Sequence, residues 1–422
     1  MIHLNKWNGG GMEYYPREHY LKRIRPFYHD SELIKVLTGV RRCGKSTILN
    51  LIKKELEASG IKKEQIIDIN LDKKGYKSIK TPEALEKKIE ELAAGEGFYY
   101  LFIDEIQNVA GFEEVINAFR EDGNYSIFIT GSNSYLLSGE LITKLTGRYL
   151  EFEIHTLDFG EFIEMKQFYQ KTVNSNLIIE LDEFILNGGF PYAIQLDDAD
   201  AKRAYIENVI REIIGKDIRQ KAKVRHLSVF ERVMNFVINN FGAPINVKKI
   251  RKYFHDQEKT NINENTIARY LQILENAKII KSCPRFDMKS KHSLTGEKKY
   301  YLADLSIFFT RNTDNRINYG PVLENIVFNY AESRNYSVSI GKIGKLECDF
   351  ILRDNQMNYA YVQVSYSILA SKETEDREYR PLEMIPDNYP KYVLTTDYLL
   401  QKRNGIKHEN IMEFMKDNRR FE

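Results

Sequence analysis

Short apolar runs alternate with helical patterns along the first third of the chain, an order typical of a parallel β-sheet covered by helices. We predict strands at residues 33–38, 65–71, 98–103, 126–130 and 148–154. The third run, Phe-Tyr-Tyr-Leu-Phe-Ile, does not alternate between polar and apolar positions, as expected for a central strand that is buried on both faces. Before this run, Thr81 can cap a helix that starts at Pro82 and continues to about Ala94.

Longer helical patterns follow, and a Gly-Gly-Phe-Pro turn at 188–191 interrupts them. The first helices are predicted at 158–169, 178–187 and 200–221. From residue 228 to about 301, three helical patterns precede a strand-like run at 278–285, and the last of these helices, 263–277, carries its apolar residues on one face. Helices followed by a β-ribbon predict a winged helix. The last part of the chain predicts a small mixed α/β domain, with a helix at 323–334 and strands at 337–340, 348–352, 359–366 and 391–395.

Residues 39–47 lie between the first predicted strand and a predicted helix, and their spacing is that of a P-loop. A triphosphate needs many hydrogen-bond donors in one place, and backbone N–H groups at a helix N-terminus supply them. Gly39 and Gly44 permit close approach of the backbone, and Lys45 is expected to reach the β- and γ-phosphates. Ser46 is expected to bind Mg²⁺. The whole loop is predicted to contact ATP: Gly39, Val40, Arg41, Arg42, Cys43, Gly44, Lys45, Ser46 and Thr47.

Two carboxylates, Asp104 and Glu105, come directly after the central apolar strand. A carboxylate at this point can hold Mg²⁺ through water, and a second can polarise the water that attacks the γ-phosphate. We predict that Asp104 binds the metal and that Glu105 is the general base. The pair, rather than a lone aspartate, favours hydrolysis over mere binding of nucleotide. A solvated acidic strand end is the alternative interpretation.

Polar side chains also follow the fourth strand. Because the carboxyl ends of parallel strands face the ligand crevice, a hydroxyl or an amide here could orient the attacking water. Asn133 is the candidate by residue type and Ser132 by position, with a plain turn as the alternative.

Charge that develops on the γ-phosphoryl group needs another cation, often an arginine from a neighbouring subunit. Arg148, which starts the fifth strand after a glycine, is the candidate. Such a role requires at least a homodimer. Arg41 and Arg42 are the competing residues, and a surface salt bridge is the alternative role for Arg148.

These motifs resemble those of a group of prokaryotic AAA-plus ATPases that carry a C-terminal domain of unknown function. The resemblance rests on the P-loop and on the runs at 102–109, 130–140 and 145–154, and it covers nearly the whole chain. Residues 157–162 and 188–191 match the lid of that group, and residues 323–325 match its C-terminal domain. The resemblance implies an AAA-type α/β core, a helical lid, a winged helix and a nuclease-like tail. We place these at residues 1–155, 156–225, 226–303 and 304–422.

The predicted tail lacks part of the residue set that a nuclease of the restriction-endonuclease type needs. Such enzymes place an aspartate on one strand and an acidic residue and a lysine on the next, where they hold Mg²⁺ and position water. Asp349 fits the first position, but Gln363 and Ser365 stand where the glutamate and the lysine would be. We therefore predict a nuclease-like fold without the chemistry.

The net charge of the whole chain does not indicate a partner, but the charge of one region does. The chain of 422 residues has a net charge of +2, which gives no global attraction to nucleic acid. Residues 244–299, however, contain 13 lysines and arginines against 6 aspartates and glutamates. This basic region could contact DNA phosphates or a protein partner. The expected contacts are Arg269 on the recognition helix and lysines near the wing: Lys289, Lys291, Lys298 and Lys299.

Several classes of protein are excluded. Three widely spaced cysteines argue against a disulfide scaffold, and no apolar segment is long enough to predict a membrane span or a secretion signal. A cytoplasmic ATP-hydrolysing switch or motor that acts on DNA or a protein is the leading hypothesis. A regulatory module that holds nucleotide with negligible turnover is the second hypothesis, and a nucleic-acid-cleaving effector is the third.

Overall fold

The computed structural model describes residues 14–93, 95–131, 145, 147–220, 224, 226–289, 292–312 and 316–422. Its first region contains five parallel strands in the order β2-β3-β4-β1-β5. The strands are β1 (Ile34–Thr38), β2 (Ile66–Asn70), β3 (Tyr99–Asp104), β4 (Tyr125–Thr130) and β5 (Tyr149–Glu153). All five predicted strands and the parallel sheet are confirmed. The parallel arrangement brings the end of β1, where the glycine-rich loop starts, to the same edge as the end of β3.

Helices cover this sheet on both faces: α1 (Glu18–Ile24), α2 (Lys45–Ala58), α3 (Pro82–Leu92) and α4 (Phe112–Glu121). The predicted start of α3 is confirmed, because the Thr81 hydroxyl accepts a hydrogen bond from the Ala84 amide at 3.3 Å. Every residue of β3 is buried, as expected for a strand between two helical layers. The sheet therefore has the apolar faces that its sequence predicted.

The next region is helical. It contains α5 (Phe159–Phe168), α6 (Leu177–Asn187), α7 (Pro191–Gln195), α8 (Ala199–Glu212) and a π-helical segment (Ile213–Gln220). The single helix predicted over 200–221 is thus an α-helix that changes to a π-helix at Ile213. The break at Gly188 is confirmed: its φ is +72°, and a Cβ there would lie 1.8 Å from Asp304 Oδ1.

The remainder of the chain is built around a second sheet. Its helices are α9 (Leu227–Asn239), α10 (Val247–Asp256), α11 (Glu264–Asn276), α12 (Ser306–Phe309), α13 (Tyr319–Ser333), α14 (Lys372–Glu383) and α15 (Ile411–Lys416). Its strands are β6 (Pro244–Ile245), β7 (Ile280–Asp287), β8 (His292–Leu302), β9 (Ser337–Ile343), β10 (Leu346–Arg353), β11 (Tyr359–Val364), β12 (Lys391–Thr395), β13 (Lys402–Arg403) and β14 (Ile406–Asn410).

These nine strands form one sheet in the order β13-β14-β12-β11-β10-β9-β7-β8-β6. The connection between its two parts is the parallel pairing of β7 with β9, in which Phe286 lies opposite Gly341. A β-ribbon and a mixed α/β domain were predicted as neighbours, and the structure joins their strands in a single sheet. Whether the two parts are a winged helix and a nuclease-like domain stays a prediction.

The helical region packs tightly on this second sheet region. A Cβ at Gly160 on α5 would lie 2.2 Å from the carbonyl oxygen of Met415 on α15, so the two helices touch backbone to backbone. Beside this contact, Arg334 forms a buried ion pair with Asp158 at 2.8 Å. Glycine at position 160 is therefore required by the close approach of the two helices.

Lys35 is a fully buried lysine near the start of β1. Its ammonium donates hydrogen bonds to the Asp30 carbonyl at 2.5 Å and to the Ser126 hydroxyl at 2.9 Å, and it lies 4.7 Å from the centre of the Phe128 ring. Burial lowers the pKa of Lys35 to about 7. Between this pH and the pKa of a lysine in the unfolded chain, about 10.4, the unfolded chain binds a proton that the folded chain does not.

The free energy of unfolding should therefore rise with pH across that window. We expect the wild type to gain roughly 3 kcal/mol relative to Lys35→Met between about pH 7 and pH 10, measured by urea unfolding. The exposed Lys54 provides the control, because Lys54→Met should follow the pH dependence of the wild type. Parallel stability curves for wild type and Lys35→Met would contradict the lowered pKa.

Candidate functional site

The glycine-rich loop connects β1 to α2 and has the backbone conformation that its glycines predict. The φ angles of Gly39 and Gly44 are +138° and +107°. A Cβ at Gly39 would lie 2.1 Å from the carbonyl oxygen of Ile154, so this position is closed to any side chain. Gly39 thus serves the packing of the loop against the segment after β5, in addition to the approach of a ligand.

Lys45 begins α2 and points back into the loop. Its side chain is buried, and its ammonium donates to the carbonyl oxygens of Gly39 at 3.0 Å and Val40 at 3.1 Å. Ser46 follows it and is exposed. The loop therefore holds a cation beside the N-terminus of a helix of 14 residues, and both features favour an anion.

Asp104 ends β3 and is tied to both neighbouring strands. Its Oδ1 accepts a hydrogen bond from the Thr130 hydroxyl at the end of β4. Its Oδ2 accepts one from the Asn70 amide at the end of β2, at 2.9 Å. Two donors from two strands fix the orientation of this carboxylate, which lies at the same edge of the sheet as the P-loop.

Glu105 has a backbone conformation that is rare for its residue type. Its φ is +59°, in the left-handed region, which costs of the order of 1–3 kcal/mol for a residue with a side chain. The backbone N–H of Glu105 donates to the Thr130 hydroxyl at 3.1 Å, and the Gln107 amide donates to its Oε2. Strain that neighbouring groups hold in place is common at functional sites.

The residues at this edge suit Mg²⁺ with a bound triphosphate. Mg²⁺ takes oxygen ligands and usually keeps several waters, with one or two protein groups and substrate phosphates. The Ser46 hydroxyl and the Asp104 carboxylate provide two such oxygens. No group of three histidines, cysteines or acidic residues that could hold a metal ion by itself occurs in the part of the chain that the structure describes. The two oxygen donors, together with phosphate and water oxygens, would suit the coordination of Mg²⁺.

Asn133 lies outside the described residues, as does its neighbour Ser132. Arg148 lies at the amino-terminal end of the parallel strands, because its carbonyl oxygen accepts a hydrogen bond from the N–H of Ile34 at the start of β1. The P-loop lies at the other end, after the last residue of β1. Its guanidinium donates to Asn117 at 3.1 Å and lies 3.6 Å from the Glu121 carboxylate. Within one chain Arg148 is remote from the loop, and a role in a neighbouring subunit stays a prediction.

Arg42, one of the two competing arginines, lies close to the helical region. Arg42 has a φ of +68°, and its guanidinium lies 3.8 Å from Glu212 on α8. Pro191, at the start of α7, lies close to Gly44, since a Cβ added there would be 3.8 Å from Pro191 Cγ. The helical region thus packs against the P-loop.

Sequence reasoning missed three residues of the site: Thr130, Asn70 and Arg17. Thr130 and Asn70 meet Asp104 through the strand register, because Ile103 lies opposite Ile129 and Asn70 lies opposite Asp104. A sequence pattern places these residues at strand ends but does not supply that register. Arg17 reaches the loop from a segment that no local pattern connects to it, through a hydrogen bond to the Cys43 carbonyl at 3.1 Å.

One predicted DNA contact is wrong. Lys299 is buried, and its ammonium contacts Glu324 at 3.0 Å and Glu347 at 3.1 Å. Burial opposes its charge, but the carboxylates of Glu324, Asp349 and Glu347 raise the pKa of Lys299 above its usual value. Lys299 therefore holds the second sheet together and cannot contact a phosphate. Lys291 lies outside the described residues.

The three nuclease-type positions line one groove, with Asp349 on β10, Gln363 on β11 and Ser365 directly after β11. Asp349 accepts a hydrogen bond from the Val364 amide at 2.8 Å. Gln363 accepts one from the Asp349 amide at 3.0 Å and donates to Glu378 at 3.2 Å. Ser365 is buried beside them. Gln363 thus bridges two carboxylate-bearing residues, and the absence of nuclease chemistry stays a prediction.

Comparison with known proteins agrees with this geometry. The sequence profile of the AAA domain matches residues 31–163, and that of a domain of unknown function (DUF8612) matches residues 178–315. The solved structure of the Walker-type ATPase PABY2304 of Pyrococcus abyssi superposes with a TM-score of 0.50 at 17% identity, over 71% of this chain and 96% of that one. Residues 31–163 therefore form an AAA-type domain that contains the P-loop.

Two relatives extend the similarity beyond this domain. An uncharacterized protein of Haemophilus influenzae is 35% identical over 402 residues, covering 94% of this chain and 98% of that protein. The uncharacterized protein MJ1544 of Methanocaldococcus jannaschii is 31% identical over 360 residues, covering 82% of this chain and 78% of that protein. The chain belongs to the family that these two proteins represent. No helix within the described residues is both long and apolar enough to cross a membrane.

Proposed function

We propose that this protein binds ATP with Mg²⁺, hydrolyses it, and uses the cycle as a switch or motor on a partner. The observation that carries the proposal is the placement of Asp104 and Glu105. Both are tied to the Thr130 hydroxyl, at the sheet edge where the P-loop begins. A module that only held nucleotide would need the loop, but it would not need a second carboxylate in a strained conformation.

The proposed roles follow from the contacts. Backbone N–H groups of residues 39–47 and the Lys45 ammonium bind the phosphates, with Ser46 and Asp104 holding Mg²⁺. Mg²⁺, when bound, neutralises charge that develops on the phosphates. Glu105 accepts a proton from the water that attacks the γ-phosphorus, and the bond to the bridging oxygen breaks to give ADP and phosphate. Asn133 orients this water, and Arg148 of a second subunit stabilises the charge.

Steady-state phosphate release by the purified chain tests the proposal. We expect turnover of ATP that requires Mg²⁺ and is lost when EDTA is added, because the metal and the nucleotide bind together. Binding of ATP without measurable release over many enzyme equivalents would instead support the alternative, a regulatory module with little turnover. A size measurement in the same samples would show whether turnover accompanies oligomer formation, as a shared Arg148 requires.

For the partner we propose DNA, bound through the basic region. Ile250 and Phe254 are buried on one face of α10. The opposite face carries exposed basic residues at helical spacing and lines an open groove of about 910 Å³ beside the start of α11. These residues are Lys248, Arg251, Lys252 and His255. Arg251 pairs with Glu264 at 2.9 Å, and Asp256 also lines the groove, so Lys248 and Lys252 are the residues best placed to contact successive phosphates. Such contacts position a protein on DNA without reading its sequence.

Charge reversal on α10 should weaken DNA binding. Lys248→Glu with Lys252→Glu is expected to lower affinity for a duplex and to reduce the slope of log affinity against log salt by about 2, one for each lost phosphate contact. Fluorescence anisotropy over a salt series measures both quantities. Lys62→Glu with Lys63→Glu, an equal change in charge on the ATPase domain, should leave the slope unchanged. Equal slopes in both double variants would redirect this surface to a protein partner.

A further inference from the structure

Arg17 is a buried arginine that donates hydrogen bonds to the P-loop and to the helical region. It precedes α1 and is 4% exposed. Its guanidinium donates to both oxygens of Glu161, at 2.7 and 2.5 Å. It also donates to three backbone carbonyls: those of Cys43 at 3.1 Å, His155 at 2.7 Å and Thr156 at 3.3 Å. These contacts use all five N–H donors that an arginine has.

One of these bonds fixes the direction of a P-loop amide. The Cys43 carbonyl and the Gly44 N–H belong to the same peptide group, and in a planar trans peptide they point in opposite directions. Arg17 holds the carbonyl on the outside of the loop, which turns the Gly44 N–H towards the inside. Gly44 caps α2, so this N–H is one of the donors that a phosphate would meet.

The same guanidinium joins the loop to the helical region. Glu161 lies in the first turn of α5, where it forms a reciprocal capping box with Asp158. The carbonyls of His155 and Thr156 belong to the short connection between β5 and α5. Arg17 therefore contacts the P-loop, this connection and the helical region at once, and all of these contacts are buried except the one to His155, which is partly buried.

The chain of contacts continues to the second sheet region. Asp158 pairs with Arg334, which follows α13, and Arg334 also donates to Asn418 at 2.6 Å. Arg17, Asp158, Glu161 and Arg334 are all nine-tenths or more buried. Burial opposes the charge of Arg334, but the Asp158 carboxylate raises its pKa above the usual value. Because these four side chains are buried, salt screens the interactions between them little.

We propose that Arg17 is a positioning residue that shapes the P-loop for phosphate binding. Glu161 and Asp158 connect Arg17 to the helical region and to Arg334, and these contacts help to keep the P-loop in that shape. Arg17 contacts no phosphate itself. The expected change in the KM for ATP rests on the proposed function, whereas the expected change in the accessibility of Cys43 does not.

The conservative variant Arg17→Lys tests the assignment. A lysine keeps the charge opposite Glu161, but its single ammonium cannot also span the three carbonyls. We expect the KM for ATP to rise about tenfold, the effect of one lost hydrogen bond, while kcat changes by less than about threefold. The matched control is Arg25→Lys, which removes a bidentate arginine from Glu18 and Glu55 at the surface and should change neither constant. An unchanged KM in Arg17→Lys would overturn the proposal.

Alkylation of Cys43 in the absence of nucleotide provides a readout that does not depend on ATP. Cys43, Cys283 and Cys348 are all free and buried, so peptide mass spectrometry can follow the three thiols together. In Arg17→Lys we expect Cys43 to react about tenfold faster, because its loop opens more often, with Cys283 and Cys348 unchanged. Faster reaction of all three thiols would show a general loss of stability and overturn the specific role.

The double variant Arg17→Gln with Glu161→Gln removes both charges and leaves neutral groups. It should again expose Cys43 alone, and protection of Cys43 equal to wild type would also overturn the proposal. The two assays separate the possible failures. If the wild type neither binds nor hydrolyses ATP, the proposed function fails, and the thiol assay still decides the role of Arg17.

Discussion

Glu105→Gln is expected to lower the steady-state rate of ATP hydrolysis by about 10²–10⁴-fold, which is the usual contribution of a general base. Affinity for ATP should stay within about threefold of wild type, because the amide has the same shape and the P-loop is untouched. The carboxylate is placed by its own backbone: the φ of +59° and the bond from its N–H to Thr130 fix where the side chain begins. The Gln107 amide then holds its Oε2.

The measurement pairs phosphate release with direct binding of ATP in the presence of Mg²⁺. Glu86→Gln, an exposed substitution of the same type on α3, should behave as wild type and controls for the loss of a negative charge. Equal phosphate release from wild type and Glu105→Gln would remove Glu105 as the base. Loss of both binding and turnover would mean that Glu105 acts on the nucleotide itself.

Lys45→Ala is expected to lower affinity for ATP by about 100-fold, because charge-assisted hydrogen bonds to phosphate oxygens contribute about 1.5–3 kcal/mol each. The ammonium lies within the loop, where it donates to Gly39 and Val40. Titration calorimetry with Mg²⁺ and ATP measures the effect.

Lys54→Ala provides the control for Lys45→Ala. Lys54 lies on the same helix, near its C-terminal end, with its ammonium 5.0 Å from the centre of the Tyr14 ring. Its loss should leave the affinity for ATP unchanged. If Lys45→Ala binds ATP as the wild type does, the phosphates lie elsewhere in the chain, and the roles proposed for Ser46 and Asp104 fail with it.

The site shows which contacts a sequence can predict. Gly39, Gly44 and Lys45 could be predicted because a P-loop consists of nine consecutive residues, so its pattern can be read directly from the sequence. Asp104 and Glu105 were predictable because an uninterrupted apolar run must end at a sheet edge. Thr130 was passed over in favour of Ser132 and Asn133, since only the register of β3 with β4 brings its hydroxyl to Asp104.

The basic region shows the opposite case. Lys298 and Lys299 are adjacent in a strand and were treated alike, yet alternate side chains of a strand face opposite sides of a sheet. Lys298 is exposed, whereas Lys299 points into a group of carboxylates from α13 and β10. No count of local charge could separate them, because the partners Glu324 and Glu347 are distant in sequence.

Short-range patterns in the chain are enough to predict the strands of the parallel sheet, the glycine-rich loop between β1 and α2, and the two carboxylates after β3. How these parts are held depends on contacts between elements that are distant in sequence. The pairing of β7 with β9 joins two predicted regions in one sheet, Arg148 lies at the edge remote from the loop, and Arg17 reaches Cys43 and Glu161. Glu161 is 144 positions away from Arg17 in the chain. A contact between residues so far apart depends on how whole helices and strands pack together, and local sequence patterns cannot predict it.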